Sequence, residues 1–173
     1  MSAPRQLFVL RHAKSSWDDP ALDDHERPLA PRGRRAVKLL ADHVRAEHIE
    51  PTQVLCSSAR RTRETYDGVA PGGELLIEPG LYGASSEDLI ERLRQVPEST
   101  RSVMVIGHNP ALQTLVLRLV EGNAAKSDGP YLADVQRKFP TGALATLSFD
   151  CAWSQLTSGR ARLAGFVRPK SLR

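Results

Sequence analysis

Two histidines and two arginines in this 173-residue chain follow short apolar segments and could share one site. Arg11 and His12 come directly after the first segment, Arg61 lies a few residues after the second, and His108 comes one glycine after the third. Guanidinium groups bind phosphate in a bidentate manner, and a neutral imidazole can act as a nucleophile. These residue types are therefore suited to binding a phosphoryl group and accepting it on a histidine. The apolar segments are residues 7–10, 54–56 and 103–106.

An imidazole attacks phosphorus only in its neutral form. Cationic neighbours disfavour protonation, so we expect Arg11, Arg61 and His108 to lower the pKa of His12. The arginines would neutralise the phosphoryl oxygens through charge-assisted hydrogen bonds. Water would then release phosphate from the phosphorylated histidine. This chemistry requires no metal and no other cofactor.

The elements that must position these side chains have the pattern of an α/β protein. Each apolar segment is typical of a buried parallel strand, and helical periodicity follows the second and third segments closely. Ligands of such folds bind beyond the carboxyl ends of the strands, where the four side chains would meet. We expect one domain spanning residues 1–173. The predicted strands are residues 6–11, 53–56, 75–77, 102–106, 143–149 and 162–167, the last two antiparallel, and the predicted helices begin near residues 32, 59, 85 and 109.

Two long stretches are predicted to be loops. Residues 14–31 are polar and rich in Asp and Pro, and residues 122–142 form a second polar connection. Asn109 is predicted to cap the helix that follows the third apolar segment, with Pro110 at the first helical position. A helix N-terminus beside His108 would offer free N–H groups to an anion.

The composition is that of an ordinary globular domain with a solvated, arginine-rich surface. Apolar residues make up 40% of the chain, charged residues 25%, and the formal net charge is +4. Only 5% of the residues are aromatic, which argues against nucleic-acid binding. Cys56 is predicted to be a buried free thiol. We see no signal-peptide pattern and no membrane-spanning apolar run, and expect a cytoplasmic monomer with no membrane partner.

Several segments, in order along nearly the whole chain, resemble the histidine phosphatase superfamily, whose members have a phosphoglycerate-mutase-like fold. The register against Glu64 and Thr65 favours Arg61 over its neighbours Arg60 and Arg63 as the second arginine of the family pattern. The matching segments are residues 10–18, 27–33, 56–65, 107–110 and 139–143.

Within that superfamily the chain resembles the short SixA type, which acts on phosphohistidine in proteins. The resemblance implies His12 as the nucleophile, with Arg11, Arg61 and His108 binding phosphate. It implies a three-layer α/β/α sandwich with a mainly parallel sheet, an antiparallel edge and no sizeable cap domain. The implied partner is a phosphorylated protein of the histidine-phosphorelay type or a small phosphorylated molecule.

Two further residues are candidates for substrate contact. The hydroxyl of Ser15 could lie beside the phosphate. Arg27 could contact the substrate, or it could be a surface salt-bridge partner instead. His25, His43 and His48 are predicted to lie on the surface.

The chain departs from the family pattern at three places. Many members have Gly where Ala13 stands, so the turn after His12 must accept a Cβ. Many have Asn where Asp18 stands; this carboxylate either turns away from phosphate or acts, when protonated, as an acid. The larger members have a glutamate general acid in a segment that residues 78–83 match poorly. An alkoxide leaving group needs such an acid and a phosphorylated imidazole does not, so its absence favours phosphohistidine as the substrate.

Two other functions remain open at this stage. The protein could be a phosphatase or mutase of a small phosphorylated metabolite, or a phosphate-binding module without catalytic activity. The acidic residues between positions 18 and 26 are predicted to form a solvated loop and not a metal site.

Overall fold

The computed structural model of the protein describes residues 4–123, 127 and 129–172. The predicted strands and helices are confirmed within these ranges, with starts shifted by one or two residues. The strands are β1 (Arg5–Arg11), β2 (Gln53–Ser57), β3 (Glu74–Glu78), β4 (Ser102–Gly107), β5 (Leu144–Phe149) and β6 (Arg162–Val167). The helices are α1 (Pro31–Ala46), α2 (Arg60–Val69), α3 (Ser86–Arg94), α4 (Ala111–Leu119) and α5 (Tyr131–Arg137).

The strands form one mixed sheet in the order β3-β2-β4-β1-β5-β6. β3, β2, β4 and β1 are parallel neighbours, whereas β5 and β6 add an antiparallel edge. This arrangement confirms the predicted sheet. No large additional domain is present in the part of the chain that the structure describes.

The apolar run of β1 is buried on both faces of the sheet, which is why it does not alternate with polar residues. Leu7 and Val9 point to one face and pack with α3 and α4, whereas Phe8 and Leu10 point to the other face and pack with α1 and α2. Burial of each such side chain contributes roughly 1.5–3 kcal/mol. The two apolar layers make the fold a three-layer α/β/α sandwich.

The central strands end level with one another. Arg11 at the end of β1 pairs with Gly107 at the end of β4, and Cys56 of β2 pairs with Ile106. The residues that follow β1 and β4, and the last residue of β2, therefore lie at the same edge of the sheet.

Two details of the predicted connections were wrong. The stretch 122–142 was predicted to be a loop, but it contains α5; only Val135 of this seven-residue helix is buried, so its apolar pattern is weak. Residues 124–126 and 128 of that stretch lie outside the described residues. Helix α4 begins at Ala111 with Pro110 as its N-cap, and Oδ1 of Asn109 accepts the N–H of Gln113 at 3.2 Å. The helix thus starts one residue later than expected.

Cys56 and Cys151 are both buried and free, which confirms the prediction for Cys56. Among the described residues, no helix is long and apolar enough to cross a membrane.

Candidate active site

The level strand ends bring His12 and His108 together. Their ring centroids lie 5.4 Å apart. The backbone N–H of His12 donates to the carbonyl of Gly107, which extends the pairing of β1 and β4 past the strand end. Gly142 also fixes the backbone at His12, because its N–H donates to the carbonyls of Arg11 and His12 at 3.1 and 3.0 Å. Its φ of +77° suits glycine.

The ring of His12 is held as one tautomer. Nδ1 lies 2.7 Å from the carbonyl oxygen of Ala13. A carbonyl only accepts hydrogen bonds, so Nδ1 carries the proton and Nε2 has a free lone pair. Burial lowers the pKa of His12 to about 3, with smaller contributions from the charges of His108, Arg61 and Arg11. Burial thus does more than the cationic neighbours to keep this imidazole neutral.

His108 is fixed by Ser57 and Arg61. Nε2 lies 2.8 Å from Oγ of Ser57, and Nδ1 lies 3.5 Å from Nη2 of Arg61. Because arginine only donates, Nδ1 of neutral His108 accepts and Nε2–H donates to Ser57. Burial, followed by the charge of Arg61, lowers the pKa of His108 to about 4. Ser57 was missed at the sequence level, although its place beside the carboxyl end of β2 was a usable signal.

Arg11 and Arg61 bring two guanidinium groups close to the histidines. Nη1 of Arg11 donates to the carbonyl of Phe139 at 3.0 Å. Arg61, in the first turn of α2, is buried. The Nε atoms of both arginines are buried without a hydrogen-bond partner among the described residues, as is Nε of Arg5 elsewhere in the fold. The charges of both guanidinium groups act on His12, so positive charge surrounds its ring.

Asp24 and Tyr82 complete the site, and neither was predicted to belong to it. Nη1 of Arg61 donates to the carbonyl of Asp24 at 2.7 Å, and Nη2 donates to Oδ2 at 3.0 Å. The hydroxyl of Tyr82 donates to the same Oδ2 at 2.5 Å, and its ring centroid lies 5.7 Å from that of His108. The Tyr82 hydrogen bond, then those of the arginines, hold the pKa of Asp24 well below its usual range. Asp24 is exposed, as predicted for a solvated loop, but the contacts of its carboxylate with Arg61 and Tyr82 were not predicted.

Arg27 and Ser15 are connected to the site by hydrogen bonds. Arg27 is buried, its Nη1 donates to Oγ of Ser15 at 2.8 Å, and its Nε donates to Oδ1 of Asp24 at 3.1 Å. Its guanidinium carbon lies 3.5 Å from the ring centroid of Trp17. Arg27 is thus a salt-bridge partner of Asp24, as one alternative had it, but a buried one, and it connects Ser15 to the Asp24–Arg61 pair. Direct contact of Arg27 or Ser15 with substrate stays a prediction.

The structure brings Asp24, and not Asp18, into contact with the arginines. Asp18 is exposed, and its backbone N–H donates to Oγ of Ser16. The structure thus gives no support to Asp18 as the acid, because its carboxylate has no described hydrogen bond to the site. His25 is partly exposed, and it also contacts neighbours of the site: its Nε2 lies 2.9 Å from Oγ of Ser58, and its ring packs edge-on against Tyr82.

Two departures from the family pattern have a structural explanation. Ala13 is fully buried in the apolar core, and its N–H donates to Oγ1 of Thr65, so the extra Cβ is accommodated by packing. The carboxylate of Glu78 accepts two hydrogen bonds of 2.8 Å from Arg92 and is engaged there. Within the described ranges no group of three His, Cys, Asp or Glu residues could hold a metal ion.

Comparison with known proteins agrees with this geometry. Residues 7–84 match the model of the histidine phosphatase superfamily (branch 1). The uncharacterized protein Rv1276c of Mycobacterium tuberculosis is 34% identical over 161 residues, which cover 93% of this chain and all of the relative. This chain belongs to the histidine phosphatase superfamily.

Solved structures place the chain near SixA-type members of the family. A protein from Nakamurella multipartitia assigned to the SixA phosphohistidine phosphatases is 28% identical, with a TM-score of 0.86 over 97% of this chain and 98% of that one. The protein histidine phosphatase SixA in complex with tungstate is 25% identical, with a TM-score of 0.77 over 97% and 99% of the two chains. The expected phosphoglycerate-mutase-like fold is confirmed, and these neighbours support a phosphatase.

Proposed function

We propose that this protein is a phosphatase that hydrolyses phosphohistidine in a protein substrate through a phosphorylated His12. The observation that carries the proposal is the free Nε2 lone pair of His12, in a ring that lies 5.4 Å from that of His108 and close to the charges of Arg11 and Arg61. A nucleophile next to fixed positive charge is suited to a tetrahedral oxyanion. The SixA structure that contains tungstate, itself such an oxyanion, lends support from a related protein.

In the first step, Nε2 of His12 attacks phosphorus and forms a new P–N bond. The P–N bond of the substrate breaks, and its electron pair returns to the substrate ring. That ring leaves as neutral imidazole because its other nitrogen carries a proton in the reacting form. Arg11 and Arg61 balance the charge of the phosphoryl oxygens, and a dianion would favour protonation of His108 at Nδ1, which would then donate to it.

In the second step, water attacks phosphorus and the bond to Nε2 of His12 breaks. The hydrogen bond from Nδ1 to the carbonyl of Ala13 keeps a proton on the far nitrogen, so His12 also leaves as a neutral ring. One proton of the attacking water passes to solvent, and phosphate is released. The same tautomer therefore makes His12 a nucleophile in one step and a good leaving group in the other.

The carboxylates of the site favour a phosphoramidate substrate. Asp24 is held ionised by Tyr82 and the arginines, and Glu78 is paired with Arg92. Neither carboxylate is placed to protonate an alkoxide. The reaction proposed here does not need that proton.

A substrate panel tests the proposal. We expect kcat/KM for phosphohistidine to exceed that for phosphoserine and glucose 6-phosphate by about 100-fold or more, since general acid catalysis contributes on the order of 10²–10⁴ to alkoxide departure. Phosphate release is measured under identical conditions for the three substrates. Comparable values would favour a metabolite phosphatase, and tungstate binding without any turnover would favour a phosphate-binding module.

The protonation states of the histidines can be measured directly. Because burial lowers the pKa of His12 to about 3 and that of His108 to about 4, both rings should stay neutral from pH 5 to pH 8 in the free enzyme. Histidine-labelled protein is titrated by NMR, with signals assigned through the variants His12→Asn and His108→Gln. A titration midpoint near the ordinary value of about 6.5 for either ring would contradict the assignment.

A further inference from the structure

A basic groove, which we call the α1 groove, lies beside the candidate active site. It has a volume of about 550 Å³. Six of its lining side chains are cationic, and no acidic side chain lines it among the described residues. Ala36, Leu39, Pro140 and Pro169 provide its apolar part, and the cations are Lys14, Arg32, Arg35, Lys138, Arg168 and Lys170.

The α1 groove is joined to the site through the backbone. Lys14 is two residues beyond His12, and its carbonyl accepts the N–H of Ala30 at the start of α1. Gly33 packs so closely on Lys14 that an added Cβ would lie 2.1 Å from the Lys14 carbonyl oxygen. On the other side, Thr141 directly precedes the glycine whose N–H donates to the carbonyl of His12. A molecule bound in the groove would thus border the phosphoryl site.

The cations of the α1 groove are not explained by the stability of the fold. None of the six forms an ion pair within the described residues. Arg32 and Arg35 lie at the start of α1, whose first turn contains no acidic residue. Positive charge at a helix N-terminus opposes the helix dipole, so this placement destabilises the helix slightly. The groove therefore presents uncompensated positive charge.

We propose that the α1 groove docks an acidic segment of the phosphorylated protein substrate, next to its phosphohistidine. Five of the six cations are exposed on long side chains, and Arg168 is half-buried. Small anions are held by buried, fixed donors, whereas exposed cations around an apolar floor orient a protein partner of opposite charge and accelerate its association. This inference depends on the proposed function only in naming phosphohistidine as the group that is hydrolysed.

Two synthetic 13-residue peptides, each with one central phosphohistidine, test the docking surface. Four positions are Glu in the acidic peptide and Gln in the neutral peptide. We expect the wild type to hydrolyse the acidic peptide with a kcat/KM at least tenfold higher at low salt, and the difference to shrink as salt is added. The double variant R32E/R35E should lose this preference, whereas the matched control K38E/R160E, with the same charge change at exposed positions outside the groove, should retain it.

Equal rates for the two peptides in the wild type, or the same loss in both double variants, would overturn the proposal. If neither peptide is hydrolysed, the proposed phosphohistidine activity is wrong, and docking is decided by binding alone. Fluorescein-labelled, unphosphorylated versions of both peptides are then titrated by fluorescence anisotropy, and equal affinities would overturn the docking surface. A labelled 12-nucleotide RNA is titrated alongside; tighter binding of the RNA, lost in R32E/R35E, would assign the groove to nucleic acid and overturn it too.

Discussion

Replacing His12 by alanine is expected to lower kcat/KM for phosphohistidine and for p-nitrophenyl phosphate by at least about 10⁴-fold, because the variant lacks the proposed nucleophile. In the wild type, Nε2 of His12 is free while Nδ1 is bound to the Ala13 carbonyl. No other neutral imidazole of the site can replace it, since Nε2 of His108 is engaged with Ser57. Rapid quenching of the wild type should trap a phosphorylated enzyme that is stable in alkali and labile in acid.

Two controls separate lost chemistry from lost folding. His12→Asn can keep a hydrogen bond to the Ala13 carbonyl and should be as inactive as the alanine variant, with an unchanged melting temperature and intact tungstate binding by calorimetry. His43→Gln, on α1 away from the site, should retain full activity. Turnover in His12→Ala above a few per cent of the wild-type value, or a phosphorylated enzyme in that variant, would refute the assigned nucleophile.

Replacing Arg61 by alanine is expected to lower kcat/KM by about 10²–10³-fold, the usual effect of removing one preorganised donor to a developing anion. Arg61 is buried, donates toward His108 at 3.5 Å and has an unpartnered Nε. The fold should tolerate its loss, because its partner Asp24 is half-exposed and can be solvated. The inhibition constant of tungstate should rise in parallel with the loss of activity.

Arg60→Ala is the matched control for Arg61→Ala. Arg60 is adjacent on the same helix but is half-exposed and pairs with Glu64 one turn later. Such a pair contributes about 0.3–0.5 kcal/mol, and Glu64 would keep its hydrogen bond to the N–H of Leu29. We expect activity within about twofold of the wild type. Equal losses in the two variants would show that the register assigned from the sequence is wrong.

The proposed site and the α1 groove would each recognise a different part of the protein substrate. In the proposed function Arg11 and Arg61 would bind the phosphoryl group, whereas Arg32 and Arg35 would contact the part of the protein substrate that surrounds it. Asp24 already accepts hydrogen bonds from two donors of Arg61. A phosphorylated protein that also engages the groove would gain contacts that inorganic phosphate lacks.

Much of the fold and of the candidate site could be predicted because it depends on short-range signals. Three unbroken apolar segments are followed by Arg11, by Ser57 and by Gly107. The parallel strands that they form must end at a common edge of the sheet. His12 and His108 consequently lie 5.4 Å apart although 96 positions separate them in the sequence. The same reasoning could not find α5, because only one of its seven residues is buried.

What the sequence by itself determined was the order of strands and helices and the convergence of two imidazoles and two guanidinium groups. Only the tertiary structure decided which carboxylate accepts hydrogen bonds from the arginines. Asp18 and Asp24 are chemically identical and close in the sequence, but the turn at Asp24–Glu26 packs against α2 and the turn after β3, and so sets Asp24 between Arg61 and Tyr82. The neutrality of His12 was likewise settled by burial, which is a property of the packed chain and not of any local segment.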